Sequence, residues 1–229
     1  MRARLIKSRE IGPEVRHFVF DVPATDRLDF TPGQFVSFSQ DILGRTVTRA
    51  YSIASAPAGS HFELCLNRVK DGIFSPWLFE MQPGDTIELQ GPLGYFVPRE
   101  PFRDSIFVAT GTGIAPFRAC LQWPPMVGSA SAITLLFGAR YQEGLVYCGE
   151  FEQLERTRPR FRFMPTITRP DAGWQGRTGW VQQHLDEALA GRLDVDVYIC
   201  GLRAMVDDVR ENLKRKGLTR QQLIYEKYD

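Results

Sequence analysis

The sequence predicts an antiparallel β-barrel followed by an α/β domain with a doubly wound parallel sheet. In residues 1–98, Pro-Gly and Gly-Pro turns separate short segments of alternating polarity, a pattern typical of antiparallel barrels. From Ser105 onward, short apolar segments alternate with helical ones, which favours a parallel sheet covered by helices. The segment 98–101, Pro-Arg-Glu-Pro, has the composition of a linker. We therefore assign residues 1–100 to the barrel and residues 101–229 to the α/β domain.

The composition is that of a globular protein with a substantial core. The chain has 229 residues, 43% of them hydrophobic, and a net charge of +1, so no strong field favours nucleic acid or an anionic membrane. The four cysteines form no C-x-x-C pair and the three histidines are isolated, so we predict no metal site. The sparse thiols, a start without signal-peptide features and the lack of a membrane-length apolar run lead us to expect a cytoplasmic protein.

Within the barrel half, the residue pattern predicts the individual elements. Alternating polar and apolar residues predict strands at His17–Val22 and His61–Asn67, and a short helix is expected at about Phe74–Glu80. In the second half, apolar runs predict strands at Ile106–Ala109, Ile133–Phe137, Phe161–Ile167, Val195–Cys200 and Leu223–Tyr228. The helices between them are expected at about Ala115–Gln122, Glu150–Arg156, Val181–Leu189 and Ala204–Lys216.

A glycine-rich turn, Thr110-Gly111-Thr112-Gly113-Ile114-Ala115-Pro116, joins the first of these strands to a helix. Gly111 and Gly113 would let the backbone approach a diphosphate, and the first N–H groups of a helix bind anions. Pro116 suits the first helical turn, where a missing N–H costs nothing. Taken alone, the segment also fits an ordinary strand–helix turn. It differs from the G-x-G-x-x-G pattern, because Pro116 stands in place of the third glycine.

The acid that normally binds an NAD ribose is missing from its expected place. No Asp or Glu occurs between Ser105 and Gln142, and the next predicted strand is followed by Arg140. A basic strand end fits a phosphate ligand, and it would also suit an additional 2′-phosphate.

Seven motifs, in order, resemble those of the ferredoxin–NADP reductase superfamily over nearly the whole chain. In the barrel half they are Arg49-Ala50-Tyr51-Ser52, which follows Pro32-Gly33-Gln34, then Gly72-Ile73-Phe74-Ser75 and Gly91-Pro92-Leu93-Gly94-Tyr95-Phe96. In the second half they are the 110–116 turn, Phe137-Gly138-Ala139-Arg140, Cys200-Gly201-Leu202 and Glu226-Lys227-Tyr228. Each motif is weak alone, but chance does not place seven in this order.

The resemblance implies that the barrel binds FAD. Arg49 offers a charged fork for a diphosphate, and Tyr51, two residues on, shares its strand face and can lie on a flavin ring. The family's counterpart of Ser52 hydrogen-bonds the N5 region of the flavin, and a separate diphosphate turn favours FAD over FMN. Without the resemblance, the same residues fit an ordinary strand and helix start. The implied flavin-binding residues are Arg49, Ala50, Tyr51, Ser52, Gly72, Ile73, Phe74, Ser75 and Tyr228.

Cys200 ends a predicted strand, at the edge where ligands bind in doubly wound folds. The resemblance places such a cysteine against the nicotinamide ring, whereas position alone also fits a buried packing residue. Glu226 and Tyr228 alternate on the last strand, and the resemblance implies that the aromatic ring stacks on the flavin while the acid assists. Because Asp229 follows the aromatic residue, the ending is similar to that of bacterial reductases, including those of ring-hydroxylating oxygenases. The candidate catalytic residues are Ser52, Cys200 and Glu226.

Coenzyme preference is expected to depend on arginines near the adenosine ribose. Thr168-Arg169 resembles the Ser-Arg pair of NADP-specific relatives, and Arg177 could add a second fork, which favours NADP(H) over NADH. As an alternative, Arg169 and Arg177 are solvated surface charges. The candidate dinucleotide-binding residues are Thr110, Gly111, Thr112, Gly113, Pro116, Arg140, Thr168, Arg169, Arg177, Cys200 and Gly201.

The resemblance implies an FAD-dependent oxidoreductase that exchanges electrons between NADP(H) and a small carrier, by hydride transfer between nicotinamide C4 and flavin N5. No cluster can form from the chain's own cysteines, so the carrier is another molecule, with ferredoxin or flavodoxin the first expectation. We expect a monomer. One alternative is an NADH-dependent reductase component of an oxygenase, or a free-flavin reductase. A second is a non-catalytic FAD electron-transfer subunit, which the 110–116 turn, Cys200 and Glu226 together disfavour.

Overall fold

The computed structural model describes residues 1–228; Asp229, the residue that follows the predicted aromatic, lies outside them. By its contacts the chain forms two compact units. One comprises Met1–Pro98 with Ala115–Val127, and the other comprises Arg99–Ile114 with the described residues from Gly128 onward. Each unit contains one six-stranded sheet.

The first unit is an antiparallel barrel, as predicted. Its strands are β1 (Arg2–Gly12), β2 (Val15–Asp21), β3 (Phe35–Ile42), β4 (Arg45–Ser52), β5 (His61–Asn67) and β6 (Thr86–Leu93). They lie in the order β4-β3-β6-β1-β2-β5, and all five neighbouring pairs are antiparallel. A bridge between Ile53 and Leu64 connects the two edge strands and closes the barrel. Its helices are α1 (Phe74–Phe79), α2 (Ala115–Gln122) and α3 (Pro124–Val127).

Aromatic side chains form the barrel core because alternate residues of each strand point inward. The Phe20 ring lies 5.0 Å from that of Phe38 and 5.6 Å from that of Phe62, measured between centroids. All three residues are completely buried. Aromatic burial on this scale is a major source of the free energy that holds the barrel together.

The second unit is an α/β domain with an entirely parallel sheet, which confirms the predicted fold class. Its strands are β7 (Ser105–Thr110), β8 (Ile133–Ala139), β9 (Phe161–Ile167), β10 (Arg177–Thr178), β11 (Asp196–Leu202) and β12 (Leu223–Tyr228). They lie in the order β10-β9-β8-β7-β11-β12. The helices are α4 (Cys148–Thr157), α5 (Leu185–Leu189) and α6 (Arg203–Arg215). Met205, Val206, Val209 and Leu213 form the buried face of α6.

The helix predicted at Val181–Leu189 is wrong in its first half. Residues Val181–His184 form a 3-10 turn, and the α-helix begins only at Leu185. The Gln183 side chain accepts a hydrogen bond from the Trp180 N–H at 2.8 Å, and the Gln183 N–H donates to the Trp180 carbonyl at 3.0 Å. These reciprocal bonds tighten the first turn to the i→i+3 pattern.

Candidate functional site

The end of strand β4 carries the first group of predicted site residues. In the register with β3, Arg49 lies opposite Phe38 and Tyr51 lies opposite Val36. Arg49 is exposed, and one of its terminal nitrogens donates to the Thr48 carbonyl at 2.8 Å. Its guanidinium therefore lies at the surface, where it is accessible to an anion. Ala50 is exposed, whereas Ser52 is buried at the end of the strand.

Tyr51 presents a half-buried aromatic ring beside Arg49. Its ring packs against those of Phe38 and Phe74, each at a centroid distance of 6.1 Å. Burial raises the pKa of the Tyr51 hydroxyl, and the nearby Arg49 charge acts in the opposite direction. The hydroxyl therefore stays neutral near pH 7. A neutral, partly exposed ring beside a guanidinium suits a flat ligand that carries a phosphate.

The segment Gly72–Ser75 forms the turn into α1. The Gly72 N–H donates to the Val69 carbonyl at 2.9 Å, and the Ser75 hydroxyl accepts from the Val69 N–H at 2.9 Å. Ile73 is exposed, while Phe74 and Ser75 are buried. The Ser75 side chain therefore helps to close the turn. The Phe74 ring, which contacts Tyr51, brings this turn next to the end of β4.

Strand β3 brings the Gly-Pro-Leu-Gly-Tyr-Phe motif beside β4. Phe35 pairs with Ser52 on one side and with Leu93 on the other. Gly94, which follows Leu93, has a φ of 97°, and a Cβ there would lie 2.8 Å from the Phe35 ring, so glycine is required. The next residue, Tyr95, is 97% exposed. The motif and the Arg-Ala-Tyr-Ser strand end therefore meet on either side of Phe35.

In the second unit, the glycine turn predicted to bind a dinucleotide follows β7 as a 3-10 turn over Gly111–Ile114, and α2 continues from it with Pro116 in its first turn. Gly111 is exposed with a φ of 54°, and a Cβ there would meet no atom within 4 Å. Gly113 is buried, and a Cβ there would lie 2.4 Å from the Cys200 carbonyl oxygen. One glycine thus leaves open space for a ligand, and the other lets the turn pack directly on β11.

Thr110 carries an orphaned polar atom at this turn. Its Oγ1 is buried and has no hydrogen-bond partner in the protein. A Cβ at Gly201 would lie 2.5 Å from this oxygen, so only glycine fits there. An unsatisfied buried hydroxyl costs about 1–3 kcal/mol, and a bound ligand that supplies the missing hydrogen bond removes that cost. The turn therefore fits a polar ligand such as a dinucleotide.

The parallel register of β11 and β12 brings the other candidate residues to the same edge. Cys200 lies opposite Glu226, and Leu202 lies opposite Tyr228. Burial and the Glu226 carboxylate raise the pKa of the Cys200 thiol, while a hydrogen bond with Tyr228 acts in the opposite direction. Cys200 is completely buried. It is therefore a neutral thiol near pH 7, suited to contact a ring rather than to act as a nucleophile.

A salt-bridge network holds the strand that carries Glu226 and Tyr228. Lys227, between them, lies 2.7 Å from Asp207 of α6, and Arg210 lies 3.1 Å from the same carboxylate. The two cations hold the pKa of Asp207 below its usual value. The Arg210 guanidinium also stacks 3.7 Å from the Tyr225 ring centroid.

Arg140, Thr168 and Arg169 come together at the ends of β8 and β9. The Thr168 N–H donates to the Ala139 carbonyl at 3.1 Å, and the Arg169 N–H donates to the Arg140 carbonyl at 2.8 Å. Arg140 and Arg169 are exposed, and Arg169 donates to the Tyr141 hydroxyl at 3.1 Å. Two guanidinium groups and a threonine thus occupy one surface.

The Arg177 guanidinium binds the carboxylate of Glu187. Its guanidinium forms a two-bond fork with Glu187, at 2.8 and 2.5 Å, and Glu187 also pairs with Arg162 at 2.5 Å. Arg177 therefore holds the Glu187 pKa down at about 2. Its fork is not available as the second phosphate clamp unless the carboxylate is displaced.

Sequence reasoning predicted no individual role for several residues that shape the barrel site. The Gln34 side chain accepts from the Thr31 N–H at 2.9 Å and donates to the Gly94 carbonyl at 3.4 Å, which links two motifs. Sequence reasoning also missed Glu63 and Arg118, which form a 2.6 Å ion pair. The signal was present for Arg118, because it is the one charged residue in the apolar helix Ala115–Gln122.

Within residues 1–228, no group of three His, Cys, Asp or Glu side chains is arranged to hold a metal ion. In that same part of the chain, no helix is both long and apolar enough to cross a membrane.

Two family matches cover the chain. Residues 2–97 match the oxidoreductase FAD-binding domain, and residues 107–211 match the oxidoreductase NAD-binding domain. The chain is 39% identical to ferredoxin–NADP reductase B of Sorangium cellulosum over 237 aligned positions, covering 99% of this chain and 97% of that protein. The chain is also 30% identical to the toluate 1,2-dioxygenase electron transfer component of Pseudomonas putida. That alignment covers 89% of this chain but only 60% of the relative.

Among solved structures, the fold is similar to a ferredoxin NADP⁺ reductase from Neisseria gonorrhoeae with bound FAD and NADP. The TM-score is 0.87 at 27% identity, and the match covers 99% of this chain and 98% of that one. The ferredoxin reductase in carbazole 1,9a-dioxygenase matches with a TM-score of 0.86 at 26% identity, over 100% of this chain and 69% of that chain.

Proposed function

The chain belongs to the ferredoxin–NADP reductase superfamily, and on that premise we propose that it exchanges electrons between NADP(H) and a small one-electron carrier through FAD. The chain is a flavin-dependent oxidoreductase with FAD-binding and NAD-binding domains. With both cofactors bound, the protein would support hydride transfer between nicotinamide C4 and flavin N5 and the passage of single electrons to or from the carrier. We assign FAD to residues 1–100 and the nicotinamide coenzyme to residues 101–229.

The observation that carries the proposal is the sheet edge at Cys200. Gly113 packs on the Cys200 carbonyl, Glu226 lies beside Cys200 in the register, and the Thr110 hydroxyl has no protein partner. In our proposal Thr110 binds the coenzyme, the neutral Cys200 thiol contacts the nicotinamide ring, and Glu226 orients it. These residues hold the ring in one orientation, which is the main contribution a protein makes to such a transfer. For Tyr228 we propose the role that the resemblance implies, in which its ring stacks on the flavin.

The barrel residues are proposed to hold the other cofactor. Arg49 binds the diphosphate by charge-assisted hydrogen bonds, Tyr51 packs on the flavin ring, and Ser52 hydrogen-bonds its edge. The turn Gly72–Ser75 supplies backbone N–H groups to the phosphates. The contact between Phe74 and Tyr51 supports this, since it brings that turn next to the strand end.

We propose NADPH as the preferred coenzyme, bound by Arg140, Thr168 and Arg169. A 2′-phosphate carries about −1.5 to −2 charges, by analogy with other phosphate monoesters. The two exposed guanidinium groups favour such a ligand, although Asp171 lies two residues beyond Arg169. Arg177, predicted as a second fork, contributes only if Glu187 releases it.

For the carrier we propose ferredoxin or flavodoxin. This choice is supported by the 39% identity to ferredoxin–NADP reductase B, which exceeds the 30% and 32% identity to the oxygenase electron transfer components. We further propose a cytoplasmic monomer. The alternative is an NADH-dependent oxygenase component or free-flavin reductase.

The deciding experiment measures anaerobic reduction of ferredoxin, flavodoxin and free flavin, with NADPH and NADH in parallel. We expect NADPH to reduce the bound FAD and a protein carrier to be reduced faster than free flavin. A higher kcat/KM with NADH would support the alternative. Flavin that stays oxidised with both coenzymes would contradict the proposal.

A further inference from the structure

A charged side chain is buried in the barrel unit without belonging to either predicted binding site. Arg118 lies on α2 and is 7% exposed. One of its terminal nitrogens donates to the Ala54 carbonyl at 2.8 Å and to the Glu63 carboxylate at 2.6 Å. His17, also buried, lies 3.7 Å from the same carboxylate.

Ala54 and Glu63, the two partners of Arg118 named above, belong to the segment that follows the flavin-motif strand. Ala54 comes two residues after Ser52, and its N–H donates to the Glu63 carbonyl at 2.7 Å. The Glu63 N–H donates to the Ser55 hydroxyl at 3.1 Å, and the Ile53 N–H donates to the Gln34 carbonyl at 3.0 Å. Each of residues 53–55 therefore takes part in at least one hydrogen bond, and Arg118 adds the only ion pair that an α2 residue makes among the described contacts.

Stability alone does not require an arginine at this place. The neighbouring residues of α2 are apolar and buried, and an apolar side chain of similar volume often replaces a buried ion pair without loss of stability. What the ion pair adds is a defined geometry, because a planar guanidinium bonds only along fixed directions. The same helix begins directly after the turn that carries Gly111 and Gly113.

We propose that Arg118 is a positioning residue for the reductase reaction. Through Ala54 and Glu63 it holds the Ser52-bearing strand end and α2 in one arrangement, and so sets the rate at which NADPH reduces the flavin. This inference rests on the proposed function, and it assigns Arg118 no contact with either cofactor.

The test compares Arg118→Met, Arg118→Lys and Glu63→Gln with a matched control. Arg4→Met removes another ion pair of the same barrel, in which Arg4 lies 2.7 Å from the buried Asp21. Four quantities are measured: FAD content, melting temperature, amide hydrogen exchange in residues 53–55 and 115–122, and the stopped-flow rate of FAD reduction at saturating NADPH.

In Arg118→Met we expect faster exchange in both segments and a rate about 10- to 100-fold lower, since small misplacements have effects of that size. The FAD content and the KM for NADPH should stay near wild type. Arg118→Lys, which keeps the charge but loses the planar guanidinium, should recover only part of the rate, and Arg4→Met should lower the melting temperature only.

Equal exchange and equal rates in Arg118→Met and Arg4→Met would overturn the proposal. If Arg118→Met retains no FAD, the test uses Glu63→Gln, in which the hydrogen bond from Arg118 to Ala54 remains. A wild-type exchange rate and a wild-type rate of FAD reduction in Glu63→Gln would also overturn the proposal. A wild-type protein whose FAD neither coenzyme reduces would instead contradict the proposed function, while the exchange measurement would still test Arg118.

Discussion

Cys200 and Glu226 lie side by side on neighbouring parallel strands, and the carboxylate helps to keep the thiol protonated. We expect Cys200→Ser and Glu226→Gln each to slow flavin reduction by NAD(P)H about 10- to 100-fold, because in our proposal both residues position the nicotinamide ring. The FAD spectrum should hardly change. Stopped-flow absorbance measures the rate, and Cys148→Ser, at a half-buried cysteine of α4, is the control. Wild-type rates in both variants would remove these residues from the mechanism.

The flavin itself gives the next prediction. The protein should purify yellow with FAD bound non-covalently, and Arg49→Ala should raise the Kd for FAD about 10- to 100-fold, since it removes a charge-assisted contact of about 1.5–3 kcal/mol. Arg45→Ala, at the other end of β4, should leave the Kd unchanged. Chromatography of the heat-released chromophore identifies it, and finding FMN would contradict the assignment.

Thr110→Val should weaken coenzyme binding without lowering the stability of the protein. The valine removes a buried hydroxyl that has no protein partner, so the protein without coenzyme should be as stable as wild type or more stable. The Kd for NADP⁺ should nevertheless rise about tenfold, corresponding to about 1.4 kcal/mol. Calorimetry measures both quantities. A variant that binds NADP⁺ as tightly as wild type would show that this hydroxyl does not meet the coenzyme.

Coenzyme preference should depend on Arg169 more than on Arg177. Arg169 is exposed beside Arg140, whereas the Arg177 fork is bound to Glu187. We therefore expect Arg169→Ala to raise the KM for NADPH about tenfold or more, with little change for NADH. Arg177→Ala should change that ratio less. Equal or higher kcat/KM with NADH in the wild type would mean that the 2′-phosphate site is absent.

The Glu187 carboxylate predicts a dependence of stability on pH. Its pKa is about 2 in the folded protein against a reference of 4.5, so its ion pairs stabilise the fold above about pH 4.5 and are lost as the pH falls towards 2. The melting temperature of Glu187→Gln should lie below that of wild type at pH 7, and the difference should shrink between pH 4.5 and 3. Because the side chain is 43% exposed, added salt should also reduce the difference. A difference that is constant with pH would contradict this account.

Local patterns in the sequence were enough to predict the elements that pack on one face. The bounds of β5, β9, β12 and α2 agree with prediction, because each has a clear apolar period and a turn at its ends. The two-residue strand β10 could not be predicted, because two residues are too few to show an alternation of polar and apolar side chains. The motif order added the prediction that certain strand ends carry the site, and the roles of those residues stay predictions.

Contacts between distant residues were not predictable in this way. The contact between Gly201 and Thr110 depends on β7 and β11 being neighbours, and the fork between Arg177 and Glu187 depends on how the intervening loop folds back. Residue type alone made Arg177 look like a phosphate ligand, because an arginine that binds a carboxylate has the same sequence signature. Only the folded arrangement distinguishes the two.

The assignment of Ala115–Val127 to the barrel unit has a consequence for how the protein is made. A ribosome synthesises the chain from its N-terminus at about 5–20 residues per second, and completed domains begin to fold as they emerge. When residue 98 has emerged, Phe96 still lacks Phe117, its ring partner at 5.8 Å, and Glu63 still lacks Arg118. The barrel can reach its final packing only after β7 and α2 have also left the exit tunnel. Release of the nascent chain near residue 100 would therefore yield an incomplete barrel, with apolar surface available to chaperones.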